Sequence, residues 1–186
     1  AAAKLAAKSD PAFQINVEAL EKVQPVDLTA SEISVRLGST WLPPKVVEQF
    51  VFELLGTLEF AQEKIHVRYA PYTGEWNVEG KSADKENVKA NSTYGTERIN
   101  AYRIIEETLN LRDVRIFDYV RDGKGKKIAI LNKQETAIAQ GKQELIKQEF
   151  RDWVWKDPER REILTRLYND QFNSSRPREY DGSHLN

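Results

Sequence analysis

Three places in this sequence hold residue types that could do chemistry. Asp118, followed by Asp122-Gly123-Lys124, resembles the acid-and-lysine cluster of a metal-dependent nuclease. Gly80-Lys81-Ser82 resembles the end of a phosphate-binding loop, whose backbone N–H groups and lysine cradle phosphates. Arg121, Lys124, Lys126 and Lys127 crowd together, and cations gathered in this way contact nucleic-acid phosphates.

The first two weaken under inspection. A phosphate loop needs four residues between its first glycine and Gly-Lys-Ser, but Gly74 leaves five, including the bulky Trp76 and Val78. Asp122-Gly123 is also a hairpin-turn pair, which would leave Lys124 at an exposed tip without the dry cavity that metal catalysis requires. His66 and His184 are the only histidines, and they have no metal-ligand spacing. No serine sits in a nucleophile-elbow context. Glu106 and Glu107 are neighbours on a predicted helix and so point in different directions. No catalytic or metal-ligating residue is assigned, and the segment is expected to need no cofactor and to be non-catalytic.

The basic cluster stands out against its background. From Arg112 to Lys133 there are seven basic and three acidic residues, a local balance of +4 in a chain of net charge -1. Projecting from a two-stranded ribbon, Arg121, Lys124, Lys126 and Lys127 could reach phosphates or enter a groove, aided by Arg115 and by Arg68 on an earlier strand. A lysine-rich tip also serves simply to keep a strand edge soluble. The opposite bias runs from Glu18 to Glu63, with three basic and eight acidic residues. Two short helices there resemble a helix-turn-helix, but Lys45 faces Glu48 and Glu53, which would repel phosphates. That acidic half suits a protein-interaction module without nucleic-acid binding.

Composition sets the frame. A chain of 186 residues can bury about 70% of its unfolded surface without staples. It has no cysteine, which excludes disulfides, cysteine-ligated zinc, iron–sulfur clusters and a cysteine nucleophile. Charged residues make up 31% and no apolar run nears 18 residues, so no membrane partner is expected. The alanine-rich start lacks the continuous apolar core of a signal peptide. A cytoplasmic chain is expected. There is no methionine, even at residue 1, which suggests a segment excised from something larger.

The elements that must position the cations follow from periodicity. Residues 1–16 read as a flexible tether and 17–172 as one α+β domain. Residues 173–186 read as a polar linker. Val17 to Val23 predicts a brief helix. Thr29-Ala30-Ser31-Glu32 predicts a capping box opening a helix that buries Ile33 and Leu37 and ends at Gly38. A helix carrying Val46, Val47, Phe50, Val51, Leu54 and Leu55 follows Pro43-Pro44 and closes at Gly56. Ile65, Val67 and Tyr69 turn back through Gly74 to Trp76 and Val78, a β-hairpin. After a polar loop, residues 97–110 form a helix with Ile99, Tyr102, Ile105 and Leu109 inward. Val114 and Ile116 pair with Ile128 and Ile130 in a second hairpin. A helix over 133–155 buries Ile138, Leu145, Ile146, Phe150, Trp153 and Val154. Asp157-Pro158-Glu159 starts another, with Ile163, Leu164, Leu167, Tyr168 and Phe172 on its stripe. Trp153 and Trp155 point to opposite sides, one into the core and the other either a docking contact for a neighbouring domain or only a surface aromatic. The fold class is α+β, with five to six helices and two β-hairpins that one four-stranded antiparallel sheet could unite.

Several stretches together carry a family likeness. They are Ser31 to Pro44 (SEISVRLGSTWLPP), Tyr72 to Lys81 (YTGEWNVEGK), Asn91 to Thr96 (NSTYGT), Ile99 to Tyr102, Leu109 to Val114 (LNLRDV), Leu131 to Thr136 (LNKQET) and Arg176 to Leu185 (RPREYDGSHL). This resembles the region between the methyltransferase and helicase parts of very large phage and mobile-element proteins. Those fuse an adenine-specific DNA methyltransferase to a Snf2-like superfamily 2 helicase. The resemblance implies a DNA substrate, neighbouring helicase and methyltransferase domains as partners, and ATP, magnesium and S-adenosylmethionine used elsewhere in the parent polypeptide. It carries over no catalytic residue, because Asn-Pro-Pro-Tyr, a phosphate loop and an Asp-Glu-Ala-His-type box are all missing here. The expected function is a non-catalytic domain that positions DNA or docks neighbouring domains. A protein-interaction module and a small nuclease on Asp118 and Asp122 are the alternatives.

Overall fold

A computed structural model describes residues 7–173 except Gln24, Asp122 and Lys124. The predicted tip residues Asp122 and Lys124 and the linker from residue 174 onward therefore lie outside the described residues. The elements are α1 (Gln14–Val23), α2 (Pro44–Leu55), α3 (Glu59–Gln62), β1 (His66–Ala70), β2 (Glu75–Glu79), α4 (Ala101–Leu109), β3 (Phe117–Arg121), β4 (Lys127–Leu131), α5 (Lys133–Val154) and α6 (Pro158–Phe172). The class is α+β. The two hairpins form separate two-stranded antiparallel sheets rather than one four-stranded sheet. Among the described residues, no helix is long and apolar enough to cross a membrane.

The described residues fall into two compact units, one of residues 35–160 and one that joins the chain before residue 35 to the chain after residue 160. In the second of these, helix begins ahead of Val17: Asp10 caps a 3-10 turn over Pro11–Phe13 that leads into α1. The chain beyond Pro25 belongs to no helix or strand, and among the described residues no strand lies beside it. Its backbone is held instead by α6. The Asn169 side chain accepts from Leu28 N–H at 2.8 Å and donates to Leu28 C=O at 2.9 Å. One turn further on, Asn173 donates to Val26 C=O at 2.8 Å. Asn169 is buried, whereas Ile163 and Phe172 of the predicted apolar stripe are exposed.

The helix expected from Thr29 to Gly38 does not form. The Glu32 carboxylate reaches back to Thr29 N–H at 2.8 Å, but the Thr29 hydroxyl donates to that same carboxylate at 2.7 Å, and the chain only turns. These bonds hold the Glu32 carboxyl below its ordinary range. A helix so short nucleates poorly. Ile33 and Leu37 are nonetheless buried, as their spacing suggested.

In the larger unit the core lies between the first hairpin and helices α2, α4 and α5. Val47, Phe50, Val51 and Leu55 of α2 are buried, as are Tyr102, Ile104, Ile105 and Leu109 of α4 and Val67, Trp76 and Val78 of the hairpin. Phe50 meets Phe150 edge to face at 5.1 Å between centroids, and Trp153 leans on both rings. Trp153 Nε1 donates to Glu53 at 2.5 Å, and the Arg160 guanidinium covers its ring at 3.5 Å while donating to the last carbonyls of α5. That cation at a helix C-terminus offsets the negative end of its dipole.

A two-stranded sheet leaves the outer edge of each strand without a partner, and buried edges need one. Here helix side chains supply it. On β1, Val67 N–H donates to Glu48 of α2 at 2.9 Å. On β2, Trp76 N–H donates to the Asn110 side chain at 2.9 Å, which returns a bond to Trp76 C=O at 2.8 Å. Val78 N–H donates to Glu106 at 3.0 Å, and Lys81 donates to the same carboxylate oxygen at 2.5 Å.

The second hairpin starts later than predicted. Val114 and Ile116 are buried but belong to no strand. Residues 112–116 run extended along α5, whose side chains replace the missing strand. Gln143 accepts from Val114 N–H at 3.2 Å and donates to Arg112 C=O at 2.8 Å and to the Thr108 hydroxyl at 3.1 Å. Gln140 donates to Val114 C=O at 3.1 Å, and Thr136 accepts from Ile116 N–H at 3.0 Å. The buried face of α5 is accordingly Thr136, Ala139, Gln143, Ile146, Phe150 and Val154. Ile138 and Leu145, predicted inward, are exposed, because the face that meets residues 112–116 must carry hydrogen-bonding groups rather than hydrocarbon.

A glycine sets the contact between the loop before α2 and the end of α4. Gly38 has φ +97°, and a Cβ placed there would lie 2.4 Å from the Leu109 carbonyl oxygen. Gly38→Ala is expected to cost at least about 2 kcal/mol, measured by urea denaturation, since it adds a backbone clash to a left-handed strain. Glu106 generates a second expectation. Burial pushes its carboxyl up, but Lys81, Val78 N–H and Arg103 outweigh that and hold it below the ordinary 4.5. It therefore contributes stability above that pH and loses it as pH falls through the lowered folded value. Glu106→Gln should lower stability at pH 7 by about 1–3 kcal/mol and should flatten the decline as pH falls through and below the ordinary carboxylate range.

Candidate functional site

The β3–β4 ribbon pairs Phe117 with Leu131, Tyr119 with Ala129, Val120 with Ile128 and Arg121 with Lys127. Strand side chains alternate, so Phe117, Tyr119, Arg121, Lys127 and Leu131 share one face and Asp118, Val120, Ile128 and Ile130 the other. All of them are exposed except Asp118, which is half-buried. Among the described residues, no third strand joins the ribbon. It leaves the body of the unit between the extended segment 112–116 and the N-cap of α5, where Asn132 N–H donates to Ile116 C=O at 2.9 Å.

Of the cations read from the sequence, Arg121, Lys126 and Lys127 sit at the far end of this ribbon. Lys127 also lies over the Tyr119 ring, 5.4 Å from its centroid. Arg115 is exposed two residues before β3. Arg68 is on the other hairpin, with its guanidinium on Glu79 at 2.8 Å, so the structure does not group it with the ribbon cations by strand.

Asp118 is committed elsewhere. Arg98 donates to one carboxylate oxygen at 2.7 Å and Asn132 to the other at 2.8 Å, and these two bonds hold its carboxyl below the usual aspartate range. Its role is to clamp the ribbon base to the N-cap of α5. Among the described residues, no group of three or more His, Asp or Glu side chains is placed to hold a metal ion. Lys81 of the phosphate-loop resemblance is likewise bonded to Glu106, and Gly80 opens a 3-10 turn with φ +70°.

The structure gathers a second set of cations that the linear reading missed. Arg36, Arg112, Lys147 and Arg151 line a cavity of about 280 Å3 with Asp113 as the one carboxylate of its wall. Three local features bring them together. The Gly38 turn lays Arg36 and Leu37 beside the end of α4. Lys147 and Arg151 follow Gln143 at four-residue steps on α5, hence on one face. At the C-terminus of α4, Leu111 N–H bonds to Thr108 C=O at 3.0 Å and Arg112 N–H to Glu107 C=O at 2.9 Å, a Schellman closure. The floor is the buried pair Gln143 and Thr108.

The Schellman closure requires a left-handed residue, normally glycine, at its turn. Here it is Leu111, at φ +57° and 60% exposed. A side chain in that conformation costs about 1–2 kcal/mol, and one so exposed recovers little of it by burial. Leu111→Gly is therefore expected to stabilise the fold by about 1 kcal/mol, read as a raised urea midpoint with unchanged slope.

No curated protein and no solved structure matches the chain. One family model does, that of the domain of unknown function DUF8437, over residues 36–174. This span includes both hairpins, the basic ribbon and every residue lining the cation-rich cavity, and it covers most of the sequence. The chain belongs to the DUF8437 family.

Proposed function

We propose that this chain is a non-catalytic domain that positions DNA within a larger DNA-processing protein, using the β3–β4 ribbon as its contact. The observation that carries this reading is the form of the ribbon. Two antiparallel strands, joined by no third among the described residues and exposed on both faces, end in Arg121, Lys126 and Lys127. A two-stranded ribbon is narrow enough for the major groove, and cations at its tip would meet the phosphates that flank it. Tyr119 behind them offers an aromatic surface, and Arg115 extends the positive strip toward the base. The likeness to the segment joining methyltransferase and helicase parts supports DNA as the substrate. It also supports the view that ATP, magnesium and S-adenosylmethionine act in neighbouring modules rather than in this one.

One observation favours a second reading, inter-domain docking. Phe117, Val120, Ile128, Ile130 and Leu131 are all exposed on the ribbon, and apolar side chains crowded on a short two-stranded element suit a protein neighbour.

Binding of a fluorescent duplex and of a forked DNA, followed by anisotropy across a salt series, separates the two. On the DNA reading, Arg121→Ala, Lys126→Ala and Lys127→Ala each weaken binding equally across sequences and lower the logarithmic salt slope by about 1. No binding at low salt would discard that reading. Docking would then predict that Ile130→Asp abolishes association with the neighbouring domains while leaving the fold intact.

A further inference from the structure

The cation-rich cavity beside the end of α4 is independent of the ribbon, and its charge is out of balance. Of its four cations, Arg36 has no ion pair among the described residues. Among the described residues, the Arg151 guanidinium bonds only to the neutral Gln148, through Nε at 3.2 Å and Nη2 at 2.6 Å. Arg112 reaches Glu75 at 3.1 Å and Lys147 reaches Glu144 at 2.6 Å, but both pairs are exposed and so weakly held. Asp113 is the one acid in the wall. Like charges converging on one concavity repel each other and concentrate a positive field there, which an anion of the right size relieves.

The geometry points to a phosphoryl-binding site in this cavity. Three arginines and one lysine in one wall suit the chemistry of a phosphate, because arginine offers paired N–H donors and lysine a point charge. The floor is preorganised: Gln143 fixes the Arg112 backbone, and Thr108 is itself tied to Ile104 C=O at 2.7 Å. Leu37 and Leu111 give the wall an apolar portion, and about 280 Å3 exceeds what a bare phosphate fills. The remaining space fits the sugar of a nucleotide or of a DNA strand. Leu111 keeps its left-handed strain at the rim, where an exposed apolar side chain could cover such a group.

The test is titration of the ¹⁵N-labelled chain with sodium phosphate, with a deoxynucleoside 5′-monophosphate and with sodium chloride at matched ionic strength. The Gln143 side-chain amide and the Leu111 and Arg112 backbone amides are followed. Saturable shifts with both phosphates but not with chloride are expected. Arg36→Ala combined with Arg151→Ala, both exposed and hence compatible with folding, should weaken binding at least about tenfold. Arg121→Ala with Lys127→Ala should leave phosphate binding unchanged, so that loss of the ribbon reading and loss of this one are told apart. Tighter binding of the nucleotide than of phosphate would identify a nucleotide as the source, and equal affinity a lone phosphoryl group such as a strand terminus. Shifts that follow ionic strength alone, or affinity indifferent to Arg36 and Arg151, would overturn the proposal and leave the cations as partners of the α4 C-terminus.

Discussion

Every extended piece of backbone in this fold faces one constraint: it has too few strands around it. A buried N–H or C=O without a partner costs about 1–3 kcal/mol, so each exposed ladder position must be satisfied from elsewhere. Side chains on helices or just past their ends do this for β1, β2 and residues 112–116. Glu48 holds β1, Asn110 and Glu106 hold β2, and Thr136, Gln140 and Gln143 hold residues 112–116. In the smaller unit Asn169 and Asn173 hold Val26 and Leu28 in the same way. The spacing is that of a helix face, three or four residues per step, laid against a strand that advances more per residue. One helix can therefore serve only a short run of extended chain, and the extended segments are accordingly short.

This economy explains how the two candidate surfaces come about. Residues 112–116 are pinned to α5 on one side, so their continuation as β3 leaves the body as an unaccompanied ribbon. The same pinning presents Arg112 at the cavity, because its carbonyl is held by Gln143. Asp118 completes the arrangement by bonding Arg98 and Asn132, which ties the ribbon base to the helix that follows. A carboxylate that invites a metal-site interpretation in the linear sequence is a structural clamp in three dimensions.

Much of the architecture was legible beforehand, and the parts that were not share a cause. Apolar periodicity located α2, α4, α5 and α6, and the turn residues around Gly74 and Gly123 located both hairpins. The basic run at 121–127 was visible because its members are neighbours in the chain. Polar residues facing inward were not: Thr136, Gln143 and Asn169 carry no apolar signal, and their role depends on a backbone brought to them by tertiary contacts. Ile138 and Leu145 were misplaced for the complementary reason, since hydrophobicity alone does not say which side of a helix meets an unpaired strand. The helix expected from Thr29 to Gly38 shows the same gap, because its start and stop residues were both present while the bonds between them were not. The cavity cations were hidden by distance. Arg36, Arg112, Lys147 and Arg151 are scattered over more than a hundred positions and become neighbours only through Gly38, the left-handed Leu111 and the four-residue steps of α5.

The amide ladder on α5 also inverts a common rule of protein engineering. Gln143 is 2% exposed, the kind of position where a redesign would install leucine to enrich the interior. Here such a swap would strand Val114 N–H and Arg112 C=O at once, uncoupling the ribbon and the cavity from their shared support. For this protein greasier is not sturdier, because position 143 calls for a side chain that can both donate and accept.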